Sequence, residues 1–344
     1  MIPKLSEIVQ NIIHVGPRSG VGGIQSVIRT LHQYPIESYA YHVIDSTSNG
    51  HILTKIRAYV TAKSKLKEII NSTDKQTIVH LHSASDFSFR RKIRLAKYAY
   101  SLGGKIIFHI HSGQIIQWLK KGKRAERYKM KLKKCQASLV CLSETWRKSI
   151  EPLLGLCHVV GNPFHPAHKY TSQDQKNPNQ LLLLARNDKV KGFEFAFKLM
   201  DELKKHNHNL HLHCTGMTTP PSSSTNISAH GKISDDKKMS LLQESSILIL
   251  PSKFEGQPVV ALEALASGTY VIASDTVHSL PGTVRLESKQ DIQSWIKAIL
   301  EITHHESLNR NKLVMSVQDH SIQNINKELD SIYLEKLSQI PKNT

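Results

Sequence analysis

The sequence predicts an α/β chain of two domains, each a parallel sheet wrapped by helices. Three observations predict it. The chain has 344 residues, and domains run to roughly 100–200 residues each. Short apolar runs alternate with helix-patterned segments, the rhythm of βαβ units. A polar stretch at 166–180 (PAHKYTSQDQKNPNQ) carries two prolines and divides the chain. The expected first domain is 1–165, and the expected second is 166–319. A C-terminal helix at 320–340 is expected to return to the first.

The first apolar segment, Met1 to Val15, has no cleavage-like site after it and reads as a first strand at Asn11–Val15. A helix is expected at Gly23–His32. Then come a strand at Thr77–His82, a basic helix at Phe87–Tyr100 and a strand at Lys105–His109. One long basic helix is expected over Ile115–Lys134, then a strand at Ala137–Leu142 and a helix opening at Ser143. Beyond the polar stretch, Leu181–Ala185 is a continuous apolar run, as a central parallel strand requires. Gly192–Lys205 is amphipathic at helical spacing. Leu210–Cys214, Ile247–Pro251 and Tyr270–Ala273 are further strands, and Asp319–Leu337 is a polar surface helix.

Hydrophobic residues make up 39% and charged residues 22%, which excludes a disordered chain. No apolar run reaches the roughly 18 residues of a membrane span. Four scattered cysteines without a C-x-x-C suit a reduced, cytoplasmic chain. The net charge of +18 is uneven: residues 1–170 hold 27 Lys and Arg against 9 Asp and Glu, and the rest hold 19 of each. That asymmetry points to an anionic partner for the first half: nucleic acid, an anionic membrane, or a phosphate-bearing substrate.

Four segments carry candidate chemistry. Ser19-Gly20-Val21-Gly22-Gly23-Ile24-Gln25 follows the first strand, and its glycines let backbone N–H groups approach a phosphate or sugar. The spacing is not the dinucleotide G-x-G-x-x-G, and no acidic residue is read at the end of the second strand. Arg186 to Gly192 follows the apolar strand Leu181–Ala185, and ligands of open α/β sheets bind at strand carboxyl ends. Two fixed cations there suit a diphosphate. Phe254 to Gly268 (FEGQPVVALEALASG) holds Glu255 in a loop and Glu263 inside a helix opened by Pro258. Carboxylates can accept hydrogen bonds from vicinal sugar hydroxyls. Finally, His109 and His111 share one face of a strand. Three more H-x-H pairs exist, at 80/82, 206/208 and 211/213. None is joined by a third ligand at a typical zinc spacing, so no metal is expected.

Together these segments resemble the retaining GT-B glycosyltransferases, glycosyltransferase family four (glycosyl transferases group one). The loop at Gly22 and Gly23, the F-H-I-H-S-G segment with His111, Ser143-Glu144, Gly161-Asn162-Pro163, A-R-x-x-x-x-K-G and F-E-G-x-P-x-x-x-x-E-A-x-A-x-G are similar to that family's landmarks. Gln257 departs from the aromatic common there, and Asp275–Gly282 lacks the usual Gly-Gly. The resemblance implies two Rossmann-like domains facing across a cleft. It implies a nucleotide diphosphate-sugar donor, UDP favoured and GDP possible, with no cofactor and no metal. By the same resemblance Arg186 and Lys191 stabilise the diphosphate, Glu263 holds the ribose, and Gly231, Lys232 and Ile233 border the base. Glu255, Gly256, Gln257, Pro258 and Val259 orient the sugar. His111 contacts it, and Gly22 and Gly23 close over the phosphates.

The basic half is expected to face the acceptor. Its charge gathers at Arg90, Arg91, Lys92, Arg94 and Lys97, and again at Lys120, Lys121, Lys123, Arg124 and onward to Lys134. Ile115, Ile116, Trp118 and Leu119 precede the second group. Apolar residues beside cations suit an anionic bilayer. The expectation is a bacterial enzyme, peripheral on the inner face of the cytoplasmic membrane. Its acceptor is then a lipid-linked saccharide or oligosaccharide of lipopolysaccharide, capsule or other glycolipid assembly. A nucleic-acid-binding protein using the basic half is the alternative from another class, but a nucleic-acid partner is not expected, since aromatic content is 6% and no recognition signature appears. A GT-B nucleotide-sugar epimerase is the alternative enzyme.

Overall fold

The computed structural model describes residues 10–18, 22–47, 51–171, 175–206, 208–220, 225–304 and 309–339. Ser19, Gly20 and Val21 of the glycine loop, and the whole segment before the first strand (1–9), lie outside them. The chain divides into two units, Met1–Pro163 with Ile322–Thr344, and Phe164–Ser321.

The first unit runs β1 (Gln10–Gly16), α1 (Gly23–Gln33), β2 (Tyr39–Asp45), α2 (Ile52–Asn71), β3 (Thr77–Ser83), α3 (Phe87–Ser101), β4 (Lys105–Ile110), α4 (Ile115–Leu119), α5 (Arg124–Lys134), β5 (Ser138–Cys141), α6 (Glu144–Leu154) and β6 (Cys157–Val159). The second runs β7 (Asn177–Leu183), α7 (Phe193–Lys205), β8 (His211–Cys214), β9 (Ile227–Ala229), α8 (Asp235–Glu244), β10 (Ser245–Leu250), α9 (Val259–Ala266), β11 (Tyr270–Ser274), β12 (Arg285–Glu287), α10 (Ile292–His304) and α11 (Arg310–Met315). The last helix, α12 (Ile322–Ser338), belongs to the first unit.

Among the described residues each unit holds a six-stranded parallel sheet, ordered β2-β1-β3-β4-β5-β6 and β12-β11-β10-β7-β8-β9. Both are doubly wound, so strand order reverses between β1 and β3 and between β7 and β10. Such switch points are where open α/β sheets bind ligands. The central strands explain themselves: β10 (SSILIL) is buried along its whole length, as a strand covered by helices on both faces must be.

Several expectations change. The long basic helix is two helices, because Gly122 at φ 60° takes the left-handed conformation and breaks the ladder between Leu119 and Arg124. The polar stretch at 166–180 is not all linker: β7 begins at Asn177. The second strand does end on an acidic residue, Asp45. Its polar, tyrosine-rich sequence (YAYHVID) lacks the apolar run that marks the other strands.

Helix α12 is not a bare surface helix. It buries Ile322, Ile325, Leu329, Ile332 and Tyr333. Tyr39 donates to Asp330 Oδ1 at 2.8 Å, and Lys336 Nζ donates to the Gln136 carbonyl. The four cysteines are free and buried. No described helix is long and apolar enough to cross a membrane.

Candidate functional site

The second unit gathers its predicted residues around the β7/β10 switch point. After β7 the chain turns through Asp188, whose carboxylate accepts from the Val190 N–H at 3.2 Å. Lys191 closes this turn and Gly192 follows at φ 77°. A Cβ on Gly192 would collide with the Pro251 carbonyl oxygen at the end of β10. The turn therefore lies directly on the neighbouring strand end, and the Lys253 N–H donates to the Val190 carbonyl at 2.8 Å. This close approach brings Lys191 Nζ to Glu255 Oε1 at 2.6 Å, with both side chains mostly buried. Arg186, on the same loop, is exposed.

Gly231 joins this edge by backbone. The Gly216 N–H donates to the Gly231 carbonyl at 2.8 Å, and the Gly231 N–H to the Met217 carbonyl at 2.6 Å. Gly216, at φ 84°, packs where a Cβ would stand 2.5 Å from the Ala185 oxygen. Gly216 is a position that motif reading missed; only the backbone crowding reveals it. Lys232 is exposed and Ile233 leans on the core.

Glu263 sits in α9, 2% exposed. Pro258 caps this helix, with Gln257 buried and Gly256 half-buried before it and Val259 opening it. Lys238 of α8 holds Glu263 Oε1 at 2.7 Å, and His168 Nε2 lies 3.6 Å from the same oxygen. Both partners were missed. His168 hid in the stretch read as linker, yet it is 5% exposed and meets Ser267 Oγ at 3.4 Å.

Burial pushes the His168 pKa down to about 4, although Glu263 pulls it up. The ordinary value of about 6.5 holds in the unfolded chain. As pH falls, the unfolded chain therefore takes the proton first. Stability from this site is complete above pH 6.5 and is lost between about 6.5 and 4, up to about 3 kcal/mol. Urea unfolding at pH 7 and pH 5 should show about 2 kcal/mol of that loss in the native chain. In His168→Gln the loss should be smaller by that share.

The first unit holds His111, Gly22 and Gly23. Gly22 is extended and caps α1 through its carbonyl, which accepts from the Ser26 N–H. His111 has both ring nitrogens engaged: Nε2 with His82 Nδ1 at 3.0 Å, and Nδ1 with Asn162 Oδ1 at 3.2 Å. Burial pushes its pKa down to about 3, so the ring is neutral at pH 7.

The basic segments divide by burial. Arg90, Arg94, Lys97, Lys120, Lys121 and Lys123 are exposed, whereas Arg91 and Arg124 are half-buried. Lys92 is 1% exposed and donates to Ser46 Oγ at 2.7 Å; burial lowers its pKa to about 7. Trp118 corrects an expectation. It is not an interfacial aromatic: it packs in the core with Phe89 and Tyr128, and its indole N–H donates to Asp86 Oδ1 at 3.1 Å. Ile115 and Leu119 are buried with it.

Comparison with known proteins adds the following. Residues 166–314 match the family model of the glycosyl transferases group 1. No curated protein matches the sequence. Among solved structures, sucrose-phosphate synthase from Thermosynechococcus elongatus superposes with a TM-score of 0.70 at 14% identity, over 95% of this chain and 98% of that one. TarM from S. aureus, with fondaparinux, alpha-GlcNAc-glycerol and UDP, gives 0.65 at 15% identity, over 82% and 59%. The pneumococcal O-GlcNAc transferase GtfA, with UDP and GlcNAc, gives 0.60 at 13%, over 80% and 60%. The chain spans about three fifths of the length of TarM and GtfA. Its two six-stranded parallel α/β domains thus match those of GT-B glycosyltransferases, and its second domain is similar to the glycosyl transferases group 1.

Proposed function

We propose that the chain is a metal-independent, retaining glycosyltransferase. It moves a hexose or N-acetylhexosamine from a nucleotide diphosphate-sugar, UDP before GDP, to a saccharide acceptor. The observation that carries this reading is the β7/β10 switch point. There the Lys191–Glu255 pair and Arg186 stand on the strand-end loops, and the buried Glu263 stands in α9, the helix that follows β10. UDP in the TarM and GtfA structures supports the choice of base.

In this mechanism Arg186 and Lys191 neutralise the departing diphosphate, charge that develops only as the glycosidic bond breaks. Glu263, oriented by Lys238, accepts from the ribose hydroxyls, and Gly231, Lys232 and Ile233 border the base. Glu255 and the N–H groups of Gln257 and Val259 hold the sugar. His111, exchanging Asn162 for a sugar hydroxyl, and the backbone at Gly22 and Gly23 are the first domain's contribution. The acceptor attacks on the leaving-group face. Product analysis by NMR tests this: an α-linked donor should give an α-linked product only when acceptor is present. An epimerised nucleotide-sugar without acceptor would sink the reading in favour of the epimerase.

We further place the acceptor on a lipid carrier at an anionic membrane, in surface-polysaccharide or glycolipid assembly. With Trp118 spent in the core, the supporting feature is α2. Its first half exposes Ile52, Leu53, Ile56 and Val60, each more than half accessible. Lys55, Arg57, Lys63, Lys65 and Lys67 lie on the same helix. Its second half buries Ala62, Leu66 and Ile70, which fixes the helix to the domain. Apolar side chains among cations bind a bilayer by burial and by charge together. Sedimentation with anionic vesicles at low salt should fall about tenfold or more when Ile52, Leu53 and Ile56 all become Ser. Equal sedimentation of the two proteins would remove α2 from the account.

A further inference from the structure

Five buried histidines gather on three neighbouring strands and the turn after the third: His14 on β1, His80 and His82 on β3, His109 on β4 and His111 immediately after its end. The parallel register sets His14 beside His80 and His82 beside His109. Alternation along each strand puts them on one face, with ring centroids 4.3 Å apart for His80 and His82 and 4.1 Å for His109 and His111. Their own hydrogen bonds do not complete the cluster. His14 Nε2 is buried without a partner, and orphaned polar atoms of this kind are rare in folded proteins; His109 Nε2 has no side-chain partner, and the backbone at Val160 beside that ring is the contact an ion would displace.

We propose that this cluster binds one divalent transition-metal ion of the zinc class, through His82, His109 and His111. Imidazole donors suit zinc, nickel, cobalt or copper, and not magnesium or calcium. One nitrogen from each of the three lies within 4.8 Å of the others. His82 Nδ1 and His111 Nε2 already face each other at 3.0 Å. Two ligands about 2.1 Å from a tetrahedral ion stand roughly 3.4 Å apart, so the ion replaces the shared proton with a displacement of tenths of an ångström.

The remaining nitrogens are held as metal-bound imidazoles usually are, by partners behind them. His111 Nδ1 meets Asn162 Oδ1, His82 Nε2 meets His14 Nδ1 at 2.9 Å, and His109 Nδ1 meets His80 Nε2 at 3.2 Å. The protons balance without loss. With Asn162 accepting from His111, the His82 proton moves from Nδ1 to Nε2. The His14 proton moves from Nδ1 to Nε2, the nitrogen now lacking a partner.

His14, His80 and His82 form a second triple of the same span. A neutral imidazole has one lone pair, and His82 belongs to both triples, so the cluster takes one ion. The set with His111 is the one within reach of solvent, since His111 is 9% exposed whereas His14 and His80 are 0%. Cross-strand pairing supplies the third ligand that spacing along the sequence does not show.

Titration of the chelator-treated full chain with Co²⁺ tests this. One equivalent should bind with the visible bands of a tetrahedral site, and Zn²⁺ should displace it. The variants His82→Asn and His111→Asn, checked for folding by circular dichroism, should lose at least tenfold in affinity. His14→Asn should lose less, and His213→Asn in the second domain should lose nothing. No Co²⁺ uptake by the native chain would overturn the proposal, as would full uptake by His82→Asn. A larger loss in His14→Asn than in His111→Asn would overturn the assignment. Nucleotide binding in EDTA is a separate readout, so failure here leaves the glycosyltransferase reading standing.

Discussion

Replacing Lys191 with Ala is expected to lower the turnover of sugar transfer by roughly 10²–10³-fold, the usual cost of losing one preorganised group at a developing negative charge. The geometry argues for the upper part of that range. Lys191 is not a mobile surface cation; it ends a short turn seated on Pro251 and is pinned at 2.6 Å by Glu255. Its removal deletes the positive charge and leaves the Glu255 carboxylate unpaired beside the diphosphate. Steady-state kinetics at saturating donor separates the effects: the loss should appear in kcat. A rise in KM with kcat unchanged would mean that Lys191 binds the ground state and the transition state equally.

Gly192→Ala carries the second large effect. At φ 77° an L-residue is disfavoured by about 1–2 kcal/mol. The added Cβ also meets the Pro251 carbonyl, which is backbone and cannot rotate away. Separating the two loops brings the total to about 2–4 kcal/mol, a fall in Tm of roughly 5–15 °C at a few degrees per kcal/mol. It should also part Lys191 from Glu255 and weaken nucleotide binding. Gly122→Ala is the control: φ is 60° but a Cβ there meets open space. It should cost only the backbone share and leave nucleotide binding unchanged. Thermal melts of the two variants decide the point; equal shifts would refute the close approach.

What the sequence made legible follows from physics. Strands such as Leu181–Leu183 and Ile247–Leu250 are continuous apolar runs, because helices cover both faces of their sheet. Cap signals marked helices at Ser143 and Pro258. Glycines at strand ends flagged the loops that meet at the β7/β10 switch point. Strand β2 was not legible because its edge position leaves it half-polar, and α2 because its exposed apolar first half breaks the amphipathic pattern. Trp118 beside a run of cations looked interfacial. Only tertiary packing against Phe89 and Tyr128 shows that it is core. His168 and Lys238 reach Glu263 from segments 95 and 25 residues away, and the five-histidine face depends on strand order. Long-range contacts of this kind leave no local pattern.

The central claim is that the second domain holds a nucleoside diphosphate through fixed cations and without a metal. Calorimetry of UDP and GDP with the native chain and with Lys191→Ala, in EDTA, tests it most directly. The account predicts that UDP binds the native chain in EDTA and that Lys191→Ala weakens it at least tenfold. Failure of both nucleotides to bind, or binding that appears only with a divalent cation, would contradict it.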